Sequence, residues 1–162
     1  MTISTPRGGL SIALSISLAL LLTIFPLPDI AQPYRPQWTA LVIIYWCMAI
    51  PERVGVGISF ITGILLDVLT GTLLGQHALG LSVIAFLTVQ THQRIRVFPL
   101  WQQSIFVTIL LIVDRLLLLW VDGAIGRPAA GLVYWVPPLL GVLLWPWVYI
   151  ILRDVRRRFH VK

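Results

Sequence analysis

Six long apolar stretches dominate the chain, and only short connections separate them. They comprise residues 10–27, 38–50, 54–70, 73–90, 103–121 and 132–152. A helix needs about 20 apolar residues to cross about 30 Å of hydrocarbon, and the first, fourth, fifth and sixth stretches meet this requirement. The pattern predicts an all-α polytopic membrane protein, with six transmembrane helices in a single domain formed by residues 1–162.

Composition supports a lipid environment. Apolar residues make up 58% of the chain and charged residues only 11%, whereas soluble domains average about 45–50% and about 25%. Only Arg7 precedes the first apolar stretch, and no small-residue cleavage site follows it, so we interpret this stretch as a retained membrane helix. The single cysteine, Cys47, excludes an internal disulfide.

The second and third apolar stretches are short, and Pro51-Glu52-Arg53 separates them. One continuous helix over residues 38–70 would be about 50 Å long, which is too long for one crossing. It would also leave Glu52 and Arg53 near the middle of the bilayer. Two short spans joined by a tight turn are therefore the better interpretation.

The distribution of basic residues orients these spans. With six spans and both termini inside, the outer loops hold only Arg35 and Arg127, and Arg115 lies within a span. The other nine of the twelve basic residues are inside: Arg7, Arg53, Arg94, Arg96, Arg153, Arg156, Arg157, Arg158 and Lys162. This asymmetry predicts cytoplasmic termini in a bacterial inner membrane, whereas five spans would remove it.

The net charge of +6 comes from these basic residues in short loops and the tail, where they orient the spans, so nucleic-acid binding is disfavoured. The basic tail, residues 153–162, is expected to bind anionic lipid headgroups. Trp38, Trp120 and Trp135 fall near the predicted outer interface, and Trp101 falls near the inner one, as is typical of an aromatic belt.

Small residues recur every four positions along the third apolar stretch and beyond it. The series comprises Gly55, Ser59, Gly63, Asp67, Gly71 and Gly75. Small residues at this spacing let two helices approach closely in lipid. Packing inside the protein is the favoured interpretation of this ladder, and docking of a partner's helix or a ligand cavity are the alternatives.

Three charged residues are predicted to lie inside the membrane, where such groups normally face a partner or a cavity. Asp67 and Arg115 lie at a similar depth, roughly 18–20 Å from the inner ends of their spans. An ion pair between them is therefore a hypothesis, with a structural role favoured over partner recognition or an ion pathway. Asp114 lies at the same depth, but its side chain points about 100° away from that of Arg115.

Trp145-Pro146-Trp147 lies within the sixth stretch, where proline kinks a helix. The two indoles form either a packed kink or a docking surface. The three histidines, His77, His92 and His160, have no metal-ligand spacing. Neither a serine-hydrolase motif nor a phosphate-binding loop occurs, and the six acidic residues are dispersed. These features predict a protein without enzymatic activity, cofactor or metal.

Several short motifs resemble one family in their order and spacing. They are Tyr34-Arg35-Pro36-Gln37-Trp38, Tyr45-Trp46, Pro51-Glu52-Arg53-Val54-Gly55-Val56-Gly57, the positions Gly63, Asp67, Gly71 and Gly75, Leu100-Trp101-Gln102-Gln103, and Leu144-Trp145-Pro146-Trp147. Together they resemble MreD, the rod shape-determining membrane protein family, in its proteobacterial form, over nearly the whole chain. One departure is Arg115 after Asp114, where the family pattern has an apolar residue.

The resemblance implies a non-enzymatic scaffold that maintains rod shape in the peptidoglycan elongation machinery. The implied partners are MreC, the MreB filament, RodZ, the RodA glycosyltransferase and a penicillin-binding transpeptidase. It also implies a fold similar to the substrate-binding subunits of energy-coupling-factor vitamin transporters. A small-ligand-binding membrane subunit is the alternative function, and a membrane enzyme is the least favoured one.

Overall fold

The computed structural model describes residues 7–128 and 130–161, and all regular structure in this part of the chain is helical. Residues 1–6 of the expected domain and Lys162 of the basic tail lie outside it. The α-helices are α1 (Arg7–Ile24), α2 (Trp38–Ala49), α3 (Val56–Thr70), α4 (Gln76–Ile95), α5 (Leu100–Ala124) and α6 (Val136–Arg158). Single 3-10 turns, Gln32–Tyr34 and Leu132–Trp135, precede α2 and α6. Each predicted apolar stretch thus corresponds to one α-helix.

Helix α2 is the centre of the bundle. Every residue from Thr39 to Ala49 is buried, and the helix contacts α1, α4, α5 and α6. A helix that is apolar on all sides suits either a protein interior or lipid, and here the other helices enclose it. Its 12 residues span only about 18 Å. The last carbonyl groups of any α-helix have no partner within the helix, and because this end is buried, other groups must satisfy them.

Arg96 supplies that cap from the end of α4. Its guanidinium donates from Nε to the Met48 carbonyl at 2.8 Å and from Nη2 to the Ala49 carbonyl at 2.7 Å. A cation is stabilised at a helix C-terminus because the unpaired carbonyls there carry partial negative charge. Arg35 makes the equivalent contact with the end of α1, donating to the Thr23 and Phe25 carbonyls.

The turn expected at Pro51–Arg53 is present, because the backbone N–H groups of Arg53 and Val54 both donate to Ile50 O. It connects two separate helices, as predicted. Helix α3 nevertheless packs mainly against α4, and α4 packs against α2. The two short helices are therefore not the two halves of a closely packed pair.

Within the described residues, α5 and the segment Leu132–Arg158 are long and apolar enough to cross a membrane, while Gly8–Ile24 and Val56–Thr70 are shorter apolar helices. Trp101 and Trp120 are both well exposed on α5. The 19 residue steps from Trp101 to Trp120 correspond to about 28 Å of helix, close to the thickness of a hydrocarbon core. Helix α6 continues through the basic residues of the tail as far as Arg158.

Candidate functional site

Asp67 lies near the end of α3, where its carboxylate closes the turn into α4. Oδ2 accepts from the Gly75 backbone N–H at 2.8 Å, and Oδ1 accepts from the His77 backbone N–H at 2.9 Å. The Thr72 hydroxyl donates to Oδ1 at 2.9 Å, and His77 Nδ1 lies 2.7 Å from the same oxygen. The carboxylate thus satisfies the free N–H groups at the start of α4, the end of a helix at which a negative charge is stabilised.

The predicted ion pair between Asp67 and Arg115 is not formed. Asp67 is paired with His77, and the Arg115 guanidinium lies over the Tyr134 ring, 4.7 Å from its centroid. Similar depth along two helices does not fix the direction in which each side chain points. Asp67 is three residues from the end of its helix, so the N–H groups of the following turn reach it first.

Asp114 is a buried residue of α5, and its two carboxylate oxygens face the start of α2 and Gly80 of α4. Its Oδ2 accepts from Gln37 Nε2 at 2.8 Å, which ties the start of α2 to α5. Its Oδ1 faces Gly80 on α4, where an added Cβ would lie only 2.1 Å away. Gly80 therefore provides the space for this carboxylate. Neither Gln37 nor Gly80 was among the expected site residues, although an isolated glycine within a helix pattern often indicates close packing.

A cavity of about 230 Å³ lies beside the Asp114 carboxylate. Its polar lining includes Arg35, Gln37, His77, Asp114 and Arg115. Four buried atoms of these side chains have no hydrogen-bond partner within the described protein, namely Arg35 Nε, Gln37 Oε1, Asp114 Oδ1 and Arg115 Nε. Buried polar atoms in such a space normally bind water or a polar ligand. The cavity thus has the chemistry to bind a small molecule with both donors and acceptors.

The ladder of small residues is divided between a helix face and a turn. Ser59 and Gly63 are buried, and a Cβ added at Gly63 would lie 2.3 Å from Ala78 Cα on α4. Gly71 and Gly75 have φ values of 69° and 98° and form the α3–α4 turn. The expectation of one continuous packing stripe is therefore wrong for these two glycines, because each adopts a left-handed backbone conformation that favours glycine. Gly55 caps the start of α3.

The two indoles of Trp145-Pro146-Trp147 do not form one surface. Trp145 is fully buried and donates from Nε1 to Gln103 Oε1 at 3.3 Å, whereas Trp147 is 69% exposed. Pro146 lies inside α6, as predicted. Positions two apart on a helix point in nearly opposite directions, so the alternative interpretation, a docking surface that both indoles share, is wrong.

Comparisons with known proteins agree with the motifs. The family model described as rod shape-determining protein MreD matches residues 7–155. A rod shape-determining protein MreD from Haemophilus influenzae (strain ATCC 51907 / DSM 11121 / KW20 / Rd) is 34% identical over 145 residues, which cover 87% of each chain. No solved structure matches. The chain therefore belongs to the MreD family, membrane proteins of the bacterial system that determines rod shape.

Proposed function

We propose that this protein is a non-enzymatic scaffold that links MreC to the peptidoglycan synthases in the inner membrane of a rod-shaped bacterium. Membership of the MreD family carries the proposal. The internal packing is consistent with it, because charged and amide side chains join the helices. Asp67 ties α3 to α4, and Gln37 with Asp114 ties α2 to α5. A scaffold needs such a fixed arrangement of its outer faces.

The proposal includes six spans with both termini in the cytoplasm. Its support is the predicted nine-to-two distribution of basic residues and the exposed tryptophans at the two ends of α5. Single cysteines at Arg53 and Arg127, introduced after Cys47→Ala, test it in intact cells. An impermeant thiol reagent added outside should label position 127 alone. Labelling of position 53 would contradict the topology.

Photocrosslinking from the outer faces of the helices tests the scaffold role. Leu14 on α1, Leu65 on α3, Ile109 on α5 and Leu143 on α6 are all exposed, and Ile84 is fully buried. A photoreactive residue at each position should capture MreC from one or two faces only, and the buried control should capture nothing. Further proposed partners are the MreB filament, RodZ, RodA and a penicillin-binding transpeptidase, which the same crosslinks would recover.

The scaffold proposal fails if no exposed position captures MreC or a synthase in cells that remain rod-shaped. Each variant must therefore be shown to complement a deletion strain at a normal protein level. Loss of complementation at a single position, with the protein still present, would itself locate a contact.

The polar cavity favours a second candidate function, a membrane subunit that binds a small ligand. The side chains that line it include unpartnered atoms, among them the amide oxygen of Gln37 and Nε of Arg115. A fold similar to vitamin-binding transporter subunits, which the family resemblance implies, is part of this second proposal. Mass spectrometry of molecules released from the purified protein would test this candidate. If Gln37→Leu retains normal shape, protein level and released molecules, the cavity does not contribute to function.

A further inference from the structure

A groove of about 910 Å³ separates α1 from the last turns of α6. Its walls are apolar, with leucines of α1 at positions 10, 14 and 18 facing residues 151, 152 and 155 of α6. The two helices otherwise touch only slightly. The groove therefore runs along the helix axes and has room for an apolar chain.

One end of this groove is basic. Arg53, Arg158 and His160 line it, and its lining contains no acidic residue. Within the described chain, no carboxylate lies within ion-pair distance of Arg53 or Arg158. Arg53 extends across the start of α1, where a Cβ added at Gly8 would lie 2.9 Å from its Nη1. Two guanidinium groups that have no carboxylate partner among the described residues thus stand at the mouth of an apolar slot.

We propose that this groove binds one anionic phospholipid of the inner leaflet. The acyl chain lies between α1 and α6, and the headgroup phosphate contacts Arg53 and Arg158. Basic pockets between membrane helices on the cytoplasmic side are typical binding sites for anionic headgroups, and guanidinium binds phosphate through two parallel hydrogen bonds. The inner-leaflet placement rests on the topology proposed above.

Charge complementarity distinguishes this occupant from a partner's apolar helix. An apolar helix would cover the leucines but would leave both guanidinium groups without a counter-ion. A phospholipid satisfies both ends, because its apolar and anionic parts occur in the same order as the two parts of the groove. The site also differs from diffuse attraction to the basic tail, because Arg53 belongs to the α2–α3 turn and Arg157 does not line the groove.

Native mass spectrometry of the purified full-length protein tests the proposal, with phosphatidylglycerol and phosphatidylcholine added separately. The wild-type protein should retain phosphatidylglycerol preferentially. Arg53→Gln with Arg158→Gln should weaken phosphatidylglycerol binding about fivefold per arginine, which corresponds to about 1 kcal/mol for each charge. The matched control Arg157→Gln removes one tail charge and should change binding less than twofold.

A second variant tests the apolar part without changing the charge. Leu14→Trp narrows the slot and should weaken retention of phosphatidylglycerol although both arginines remain. The proposal is overturned if the double arginine variant binds phosphatidylglycerol like the wild type, or if Arg157→Gln weakens binding equally. It is also overturned if crosslinks from Leu14 in cells capture a partner's helix and no lipid. The binding measurements use purified protein, so their result is independent of whether the scaffold proposal holds.

Discussion

Replacement of Gly63 by alanine should separate α3 from α4. The added Cβ would lie 2.3 Å from Ala78 Cα, 2.5 Å from Ala78 N and 2.9 Å from His77 C. All three are backbone atoms, so no side chain can rotate out of the way. Since real Cβ contacts are essentially never shorter than 3.0 Å, the two helices must move apart by about 1 Å at this point.

Three terms determine the change in the free energy of unfolding, and the third of them is favourable. Overpacking of a well-packed interior destabilises a protein by about 1–3 kcal/mol. The separation also lengthens the bonds of the His77 and Gly75 N–H groups to Asp67, and each bond to a charged acceptor is worth about 1.5–3 kcal/mol. Alanine offsets about 1 kcal/mol through its higher helix propensity. We expect a net loss of about 2–3 kcal/mol in the free energy of unfolding.

Gly57→Ala is the matched control. It lies on the same helix, and nothing lies within 4 Å of the position of its Cβ. This variant should be unchanged or more stable by up to about 1 kcal/mol. Reversible unfolding of the purified proteins in bicelles, followed by far-UV circular dichroism, measures both. If Gly63→Ala is as stable as Gly57→Ala, the close approach of α3 and α4 does not exist and the reasoning is refuted.

Three further sets of substitutions test the interior network with the same unfolding assay. In a double-mutant cycle, Asp67→Ala and His77→Ala should be coupled by about 0.5–3 kcal/mol, whereas the effects of Asp67→Ala and Arg115→Leu should be additive. Coupling between Asp67 and Arg115 but not between Asp67 and His77 would instead support the predicted ion pair. Arg96→Gln should cost about 1–2 kcal/mol because it removes the charged cap of the central helix, and an unchanged midpoint would contradict that role. Because φ is positive at Gly71, Gly71→Val should lower the free energy of unfolding by about 1–2 kcal/mol and Gly71→Asn should lower it by less. Equal losses for the two variants would exclude backbone strain as the cause.

The helices themselves could be predicted because each depends on local sequence. Every apolar stretch became one α-helix, and the division at Pro51–Arg53 followed from the length of a continuous helix and the charges of Glu52 and Arg53. The order of packing could not be predicted in this way. Nothing local indicates that α2, with only 12 residues, is the enclosed element or that α4 lies between it and α3. That arrangement depends on which faces fit together, which a periodic pattern does not specify.

The ladder of small residues shows how one pattern can have two causes. Gly63 is small because a neighbouring backbone lies against it, as the spacing predicted. Gly71 continues the same spacing for a different reason, because its positive φ ends the helix. The spacing of four positions therefore continues past the end of the helix by coincidence, with a different cause on each side. A sequence pattern counts positions, whereas the structure distinguishes a helix face from a turn.

The partner of Asp67 depends on the same distinction. Depth along two parallel spans favoured Arg115, because a buried carboxylate requires a donor and the arginine was the nearest cation at that level. A helix N-terminus is also a donor, and the turn through Gly71 brings the start of α4 directly against the end of α3. Once those N–H groups surround Asp67, Arg115 lies instead against Tyr134 and beside the polar cavity. The guanidinium that the sequence placed in an internal pair is thus not neutralised by Asp67, which is why the effects of Asp67→Ala and Arg115→Leu should be additive.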